Sequence, residues 1–133
     1  MDPKLVLIVD DEFEIAQAYE AVLRSAGFEP QVLHDGQAAQ ARLQEIVPAL
    51  VVLDLNLPRV SGRELLNQIR ADVRLSQTRV IITTGDTQTA SMIAGEGQAD
   101  IILVKPVSAA QLHDFALRLR GNPAAGPGEG SSP

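Results

Sequence analysis

Five apolar residues, Ala49 to Leu53, run without interruption into a carboxylate at Asp54. An unbroken apolar run of this length predicts a strand that is buried on both faces, as in a parallel sheet. Ligands of such sheets bind just beyond the carboxyl ends of the strands. Asp54 stands at that point, so we expect it to lie in the functional site of the chain.

Three further buried strands are predicted, and each of them also ends in polar or charged residues. The first strand, 5–9, is followed by Asp10, Asp11 and Glu12. The strand over 80–82 is followed by Thr83 and Thr84, and the strand over 101–104 by Lys105 and Pro106. A weaker strand over residues 28–33 contains Pro30, which removes a backbone donor and places this strand at the edge of the sheet.

Helical patterns separate these strands, because apolar residues recur there at three- and four-residue steps. Five helices are expected, the second over about 37–46 and the fourth over about 87–96. Ser61 and Ser108 open the third and fifth helices with capping-box spacing. The fourth contains weak helix formers and is expected to be short and mobile. Five alternating strand and helix units predict a doubly wound, flavodoxin-like α/β fold with a five-stranded parallel sheet in the order 2-1-3-4-5.

The 133 residues suit a single domain, which we place at 1–120. Residues 121–133 are mainly Gly, Pro, Ala and Ser and predict a disordered tail or a truncated linker. A net charge of −6 argues against nucleic-acid binding by this chain alone. The absence of cysteine excludes disulfides and thiolate metal sites and favours a cytoplasmic location. The first apolar run is too short to span a membrane, so no membrane association is expected.

The predicted strand order makes the first and third strands neighbours, so Asp10 and Asp11 should converge on Asp54. Carboxylates about 4 Å apart repel each other by ~4 kcal/mol per pair at an effective dielectric of about 20. Mg²⁺ would relieve this repulsion and keep Asp54 ionised and able to attack phosphorus. Lys105 and Thr84 would offer an ammonium and a hydroxyl to phosphoryl oxygens. The residues therefore predict an aspartate that accepts a phosphoryl group.

Four motifs occur together in one order and spacing. They are Val9-Asp10-Asp11-Glu12, then Val52-Leu53-Asp54-Leu55-Asn56-Leu57-Pro58 with Gly62 after it, then Thr84-Gly85, and finally Lys105-Pro106. With these motifs, residues 4–119 resemble the receiver domain of a response regulator in bacterial two-component signalling, of the chemotaxis-regulator type. Any one motif alone would be a weak signal, but the combination is specific.

The resemblance implies that Asp54 accepts a phosphoryl group from a histidine kinase or a histidine phosphotransferase. Asp11 and Asp54 would bind Mg²⁺ directly, together with the backbone carbonyl of Asn56, and Asp10 would act through water. A receiver domain would turn over no free substrate and would signal through protein contacts on the side formed by the fourth helix, fifth strand and fifth helix. Whether it forms a dimer stays open.

By the same resemblance, Lys105 pairs with the phosphoryl group and Thr84 hydrogen-bonds to it in the activated state. The Lys105–Pro106 peptide bond is expected to be cis. Thr83 is the alternative for the switch hydroxyl, and we favour Thr84 because a glycine follows it. The family often has an aromatic residue where this chain has Ile102. We therefore expect activation to be coupled through the backbone after the fourth strand and through the fourth helix.

Asn56 lies two residues after the acceptor Asp54, and Asp86 lies two residues after Thr84. In this family, both positions influence dephosphorylation. Polar side chains at both positions predict a fairly short-lived phosphoaspartate.

Other functions use similar groups. A haloacid-dehalogenase-like phosphatase needs an Asp-x-Asp motif after its first strand and usually a cap, whereas here the acids are adjacent. A flavodoxin-like nucleotide or flavin binder needs a glycine-rich phosphate cradle where this chain has acids. A receiver-like docking module without phosphotransfer would not require the full set of groups that is present. Asp10 and Asp11 could also simply cap the first helix.

Overall fold

The computed structural model describes residues 4–121, in which a five-stranded sheet lies between two layers of helices. The strands are β1 (Lys4–Val9), β2 (Phe28–Leu33), β3 (Leu50–Asp54), β4 (Arg79–Thr84) and β5 (Ile101–Val104). The helices are α1 (Phe13–Ser25), α2 (Gly36–Leu43), α3 (Gly62–Ala71), α4 (Thr87–Glu96) and α5 (Ala109–Gly121), with a short 3-10 helix at Val73–Leu75. All strand pairs are parallel and follow the order β2-β1-β3-β4-β5, which confirms the predicted topology.

Each face of the sheet builds its own hydrophobic core, because side chains alternate across a strand. Val51 and Leu53 pack with residues of α2, α3 and α4, whereas Leu50 and Val52 pack with residues of α1 and α5. Every residue of β3 is buried, as its unbroken apolar run predicted. By the same alternation, Asp54 lies on the face that α1 and α5 cover.

The two predicted serine caps fix the helices that leave the functional edge of the sheet. Ser61 Oγ accepts a hydrogen bond from the Glu64 N–H at 3.1 Å, and Ser108 Oγ accepts one from the Gln111 N–H at 3.0 Å. Each serine satisfies a backbone donor that the first turn of its helix leaves free. The segments after β3 and β5 therefore enter their helices at defined points.

Local structure differs from the sequence predictions in three places. Helix α2 ends at Leu43 and not at 46, because the N–H groups of Gln44 and Glu45 donate to carbonyls three residues earlier. Such bonds tighten and end a helix, and Pro48 favours an extended chain before it. The 3-10 helix was not predicted. Helix α5 includes Gly121, which was predicted to begin the tail over 121–133, and the rest of that predicted tail lies outside the described residues.

Helix α4 packs with few buried side chains, as its composition suggested. Within it only Ile93 is buried, and Gly97 ends it with a left-handed φ of 70°. Its expected mobility stays a prediction. Between residues 4 and 121, no helix combines the length and the apolar character needed to cross a membrane.

Candidate functional site

Strands β1 and β3 pair side by side and bring Asp10 and Asp54 to the same edge of the sheet, as the predicted order requires. Both side chains are buried, with Asp10 exposed to 1% and Asp54 to 2%. Asp10 Oδ1 accepts a hydrogen bond from the Glu12 N–H at 2.9 Å, and Asp54 Oδ1 accepts one from the Asn56 N–H at 3.0 Å. A backbone donor thus holds one oxygen of each carboxylate, and the second oxygen is left for other partners.

Lys105 follows β5 and brings its ammonium to these second oxygens. Its Nζ lies 3.2 Å from Asp54 Oδ2, with longer contacts of 3.4 Å to Glu12 Oε1 and 3.6 Å to Asp10 Oδ2. The Lys105–Pro106 peptide bond is cis, the isomer that the resemblance implied. One ammonium therefore faces three carboxylates, and the site keeps a negative excess.

Burial and charge act together on the ionisable groups of the site. Burial raises the pKa of the Asp10 carboxyl, although the Glu12 N–H opposes this, and the nearby Asp54 charge raises it further. Burial alone would lower the pKa of the Lys105 ammonium, but the attraction of Asp54 and Asp10 outweighs it and raises that pKa. Burial also raises the pKa of the Tyr19 hydroxyl to about 12. Lys105 is therefore charged and Tyr19 neutral at physiological pH.

The acidic group fits a hard divalent cation. One oxygen from each of Asp10, Glu12 and Asp54 lies within 4.8 Å of the other two. Asp10 Oδ2 is buried and accepts no hydrogen bond from the described residues, so it has a free lone pair to offer. Carboxylate oxygens are the ligands that Mg²⁺ prefers in proteins. The residues present therefore suit Mg²⁺.

Glu12 completes this group, whereas Asp11 has an exposed side chain and lies outside it. The resemblance assigned a direct metal contact to Asp11 and gave no role to Glu12. The only sequence signal for Glu12 was its membership of the acidic run. Side chains alternate between the two faces only within a strand, and this run lies in the loop after β1. The sequence pattern therefore could not predict which of these acids points into the site.

The loop after Asp54 is held against the sheet by its backbone. The Leu55 N–H donates to the Thr83 carbonyl at 3.0 Å, and the Gly62 N–H donates to the Leu55 carbonyl at 3.2 Å. A Cβ on Gly62 would collide with the Asp54 carbonyl oxygen, so the two chain segments approach as closely as they can. The Asn56 carbonyl, which the resemblance makes a metal ligand, lies in this anchored loop.

Thr83 and Thr84 are both buried, and as neighbours on a strand they face opposite sides of the sheet. Thr84 Oγ1 accepts a hydrogen bond from the Asp86 N–H at 3.2 Å. Asp86 in turn caps α4, since its carboxylate accepts from the Gln88 N–H at 3.0 Å and from the Thr89 hydroxyl at 2.7 Å. The Thr89 hydroxyl lowers the pKa of Asp86. The switch candidate Thr84 is therefore connected to the start of α4.

Ile102 pairs with Ile82 across β4 and β5 and packs against the core on the side of α3 and α4. An aliphatic side chain thus occupies the place where the family often has an aromatic ring. Coupling through the loop after β4 and through α4 stays a prediction.

A family model described as the response regulator receiver domain matches residues 6–116, which include all the site residues described above. The chain is a response regulator receiver domain. Response regulators receive phosphate from histidine kinases, and their receiver domains bind Mg²⁺ at an acidic cluster. The family that the four motifs predicted is confirmed.

Curated proteins of known name share this domain. The receiver domain is 35% identical over 119 residues to the DNA-binding response regulator MtrA of Mycobacterium tuberculosis, an alignment that covers 88% of this chain and 51% of MtrA. The chain thus spans about half the length of the curated relatives it matches.

Solved structures support the fold. The chemotaxis response regulator CheY4 of Vibrio cholerae superposes with a TM-score of 0.79 at 28% identity, over 88% of this chain and 98% of that one. The Mn²⁺-bound form of response regulator Rcp1 superposes with a TM-score of 0.73 at 29% identity, over 90% and 93%.

Proposed function

We propose that Asp54 is the phosphoacceptor of this receiver domain and takes a phosphoryl group from the phosphohistidine of a histidine kinase or a histidine phosphotransferase. The observation that carries the proposal is the Asp54 carboxylate itself, buried at a strand end with Lys105 Nζ at 3.2 Å. One oxygen is fixed by a backbone N–H and the other faces an ammonium, so the group is oriented for attack on phosphorus. Lys105 also supplies positive charge for phosphoryl oxygens.

In the proposed transfer, an Asp54 oxygen forms a bond to phosphorus while the bond between phosphorus and the histidine nitrogen breaks. The imidazole leaves with the bonding electron pair and takes up a proton. Lys105 stays protonated because its pKa is raised. Thr84 Oγ1 accepts from the Asp86 N–H, so its own proton is available for a phosphoryl oxygen. Hydrolysis returns the carboxylate, and the domain turns over no free substrate.

Mg²⁺ is the proposed cofactor, and when bound it neutralises charge on the carboxylates and on the incoming phosphoryl group. Asp10, Asp11 and Asp54 would hold it with the Asn56 carbonyl. The acidic group supports a metal site, and so does the solved Rcp1 structure with Mn²⁺ at 29% identity. Glu12 belongs to the same group, and a cation held there would compete with the Lys105 ammonium, which contacts the same three carboxylates.

Incubation with Mg²⁺ and a small phosphoryl donor such as phosphoramidate tests the function. We expect one phosphoryl group per chain, found on the peptide that contains Asp54, and none when the metal is chelated, because the repulsion between donor and carboxylates then remains. Intact mass and peptide mapping measure both. If the chain stays unmodified under conditions where CheY4 is labelled, the receiver is a docking module without phosphotransfer.

Removal of single acids identifies the metal ligands. We expect Asp11→Asn to weaken Mg²⁺ binding roughly tenfold or more, a loss typical of perturbed metal sites. Glu12→Gln should weaken it less, because the Glu12 side chain is 58% exposed and well solvated. Titration of Tyr19 fluorescence reports both affinities, since this is the only tyrosine and the chain has no tryptophan. A larger loss for Glu12→Gln would assign the ligand role to Glu12.

The proposed output surface is the side formed by α4, β5 and α5. Three large apolar side chains are exposed there, with Met92 at 56%, Val104 at 39% and Leu117 at 42%. Exposed apolar groups on neighbouring elements favour protein contacts, with a downstream partner or with a second copy. The charge of −6 supports proteins, and not nucleic acid, as partners of this chain alone. We place this signalling in the cytoplasm, where the response regulators meet the kinases.

Asn56 and Asp86 are proposed to shorten the lifetime of the phosphoaspartate. Asn56 is exposed beside the acceptor, which leaves its amide free to orient water. The Asp86 carboxylate is held by Gln88 and Thr89 as a helix cap, so Asn56 carries the larger part of this proposal.

A further inference from the structure

The loop that carries the metal-binding acids is attached to the neighbouring strand by a histidine side chain. Strands β1 and β2 are paired up to Val9 and Leu33, and the Asp10 N–H still donates to the Leu33 carbonyl at 3.1 Å. One step further, the His34 ring lies with its Nδ1 atom 3.1 Å from the Asp10 carbonyl oxygen. A carbonyl can only accept, so Nδ1 carries the proton and is the donor. The imidazole therefore continues the ladder by one hydrogen bond beyond the strands.

The peptide that His34 holds also sets the direction of the Asp10 carboxylate. Asp10 Oδ1 accepts from the Glu12 N–H at 2.9 Å, which closes a tight turn around the peptide between Asp10 and Asp11. If that peptide rotated, the Glu12 N–H would move away from Oδ1 and the carboxylate would lose its anchor. Asp10 Oδ2, which is buried and accepts no hydrogen bond from residues 4–121, would then turn with it.

Such a restraint matters because the acids of the site repel one another. One oxygen from each of Asp10, Glu12 and Asp54 lies within 4.8 Å of the other two, and like charges at such distances favour separation. Helix α1 gives the loop little support, since its N-cap residue Glu12 makes no side-chain cap hydrogen bond. The loop therefore depends on contacts with the neighbouring segment, and the hydrogen bond from His34 is one that a substitution can remove.

An aromatic contact orients the imidazole. The centroid of the Phe13 ring lies 4.0 Å from that of the His34 ring, and the two ring planes meet at 41°. Phe13 is the first residue of α1 and is 66% exposed, although burial of a phenylalanine ring would be favourable. In this position the ring covers the imidazole and limits the access of water to its hydrogen bond with Asp10.

We propose that His34 is a positioning residue for the metal-binding acids: its imidazole fixes the peptide after Asp10 and so keeps the Asp10 carboxylate in the acidic group. This inference rests on the metal site of the proposed function. A ligand that is already in place before the cation binds loses less conformational freedom on binding, so the affinity is higher. His34 acts through the Asp10 backbone and is not itself a metal ligand in this proposal.

Three substitutions of His34 separate the hydrogen bond from the ring. His34→Phe keeps a ring against Phe13 and removes the donor, so it should weaken Mg²⁺ binding roughly fivefold, the value of one ordinary hydrogen bond. His34→Asn places an amide N–H where Nδ1 stands and should restore most of the affinity. His34→Gln carries its amide one bond further from the backbone and should not restore it. Titration of Tyr19 fluorescence with Mg²⁺ measures each dissociation constant.

His113→Phe is the matched control, because it makes the same change at the other histidine of the chain, on α5. It should leave the Mg²⁺ affinity unchanged. Urea denaturation of the metal-free variants shows whether each is folded, and if His34→Phe is not, the comparison of His34→Asn with His34→Gln decides.

Equal Mg²⁺ affinities for wild type and His34→Phe, or for His34→Asn and His34→Gln, would overturn the inference and leave the phosphoacceptor role of Asp54 untouched. A wild-type chain that binds no Mg²⁺ would refute the metal site and the inference with it.

Discussion

Asp54→Asn should abolish Mg²⁺-dependent phosphorylation of this domain, to below the detection limit of intact mass measurement. Asparagine has nearly the shape of aspartate and its amide oxygen can still accept the Asn56 N–H that holds Oδ1 in wild type. It has no anionic oxygen that could attack phosphorus, and it removes one carboxylate from the metal-binding group. Among residues 4–121, only Asp54 both pairs with Lys105 and accepts a hydrogen bond from the loop after β3, so we expect no neighbour to replace it. Phosphoramidate with saturating Mg²⁺ is the assay.

Asp35→Asn is the control for this variant. Asp35 lies in the loop before α2, where its carboxylate accepts from the Ala38 N–H at 2.7 Å. Asparagine is as good a helix cap as aspartate, so this change removes an acid at little cost to the fold. It should leave the extent of phosphorylation unchanged. Residual label on Asp54→Asn, or its loss in Asp35→Asn, would move the acceptor role to another residue.

The sheet and its acidic edge could be predicted because they depend on short-range patterns. An unbroken apolar run can be satisfied only by burial on both faces, and this places β3 in the centre of the sheet. Parallel strands then bring their carboxyl ends to one edge, so Asp10, Asp54 and Lys105 had to meet there. The family motifs added roles to these positions.

Other features of the site depend on contacts between distant segments, which no local pattern reveals. The preference for Glu12 over Asp11 in the acidic group reflects loop side-chain orientation beyond the end of β1. The Thr83 hydroxyl has no hydrogen-bond partner within the described part of the chain, which appears only once every neighbouring donor and acceptor has been placed. Gly62 was recognised as part of a motif, but its close contact with the chain around Asp54 could not be predicted from the sequence.

Gly62→Ala should destabilise the fold strongly, at a cost of about 3 kcal/mol, the upper end of the range for overpacking. A Cβ at this position would meet the Asp54 carbonyl oxygen and would lie 2.6 Å from Leu55 Cα. Both are backbone atoms of a buried strand end, so they cannot move aside as a flexible side chain could. The first turn of α3 would have to shift away from β3. Urea denaturation, monitored by circular dichroism, gives the change in the free energy of unfolding.

Gly95→Ala is the matched control, because the same glycine-to-alanine change should here raise the stability of the protein. Gly95 is exposed within α4, and outside its own stretch of helix no atom of residues 4–121 lies within 4 Å of the position that its Cβ would occupy. Alanine at a helical position of this kind should stabilise the protein by roughly 0.5–1 kcal/mol. If both glycine variants lose stability alike, steric contact with the Asp54 backbone is not the cause.

The effect of Gly62→Ala should extend to phosphorylation, because the displaced atoms carry the acceptor. Leu23→Ala is the control for this effect. It removes a fully buried side chain in the last turn of α1, the end of that helix away from the site, and should lower the free energy of unfolding by a similar ~3 kcal/mol. At a temperature where both variants are folded, Leu23→Ala should be phosphorylated at the wild-type rate and Gly62→Ala more slowly. Equal rates would mean that the loop after β3 positions Asp54 without needing this contact. A slower rate in Gly62→Ala alone would show that the close approach of α3 to β3 sets the geometry of the phosphoacceptor.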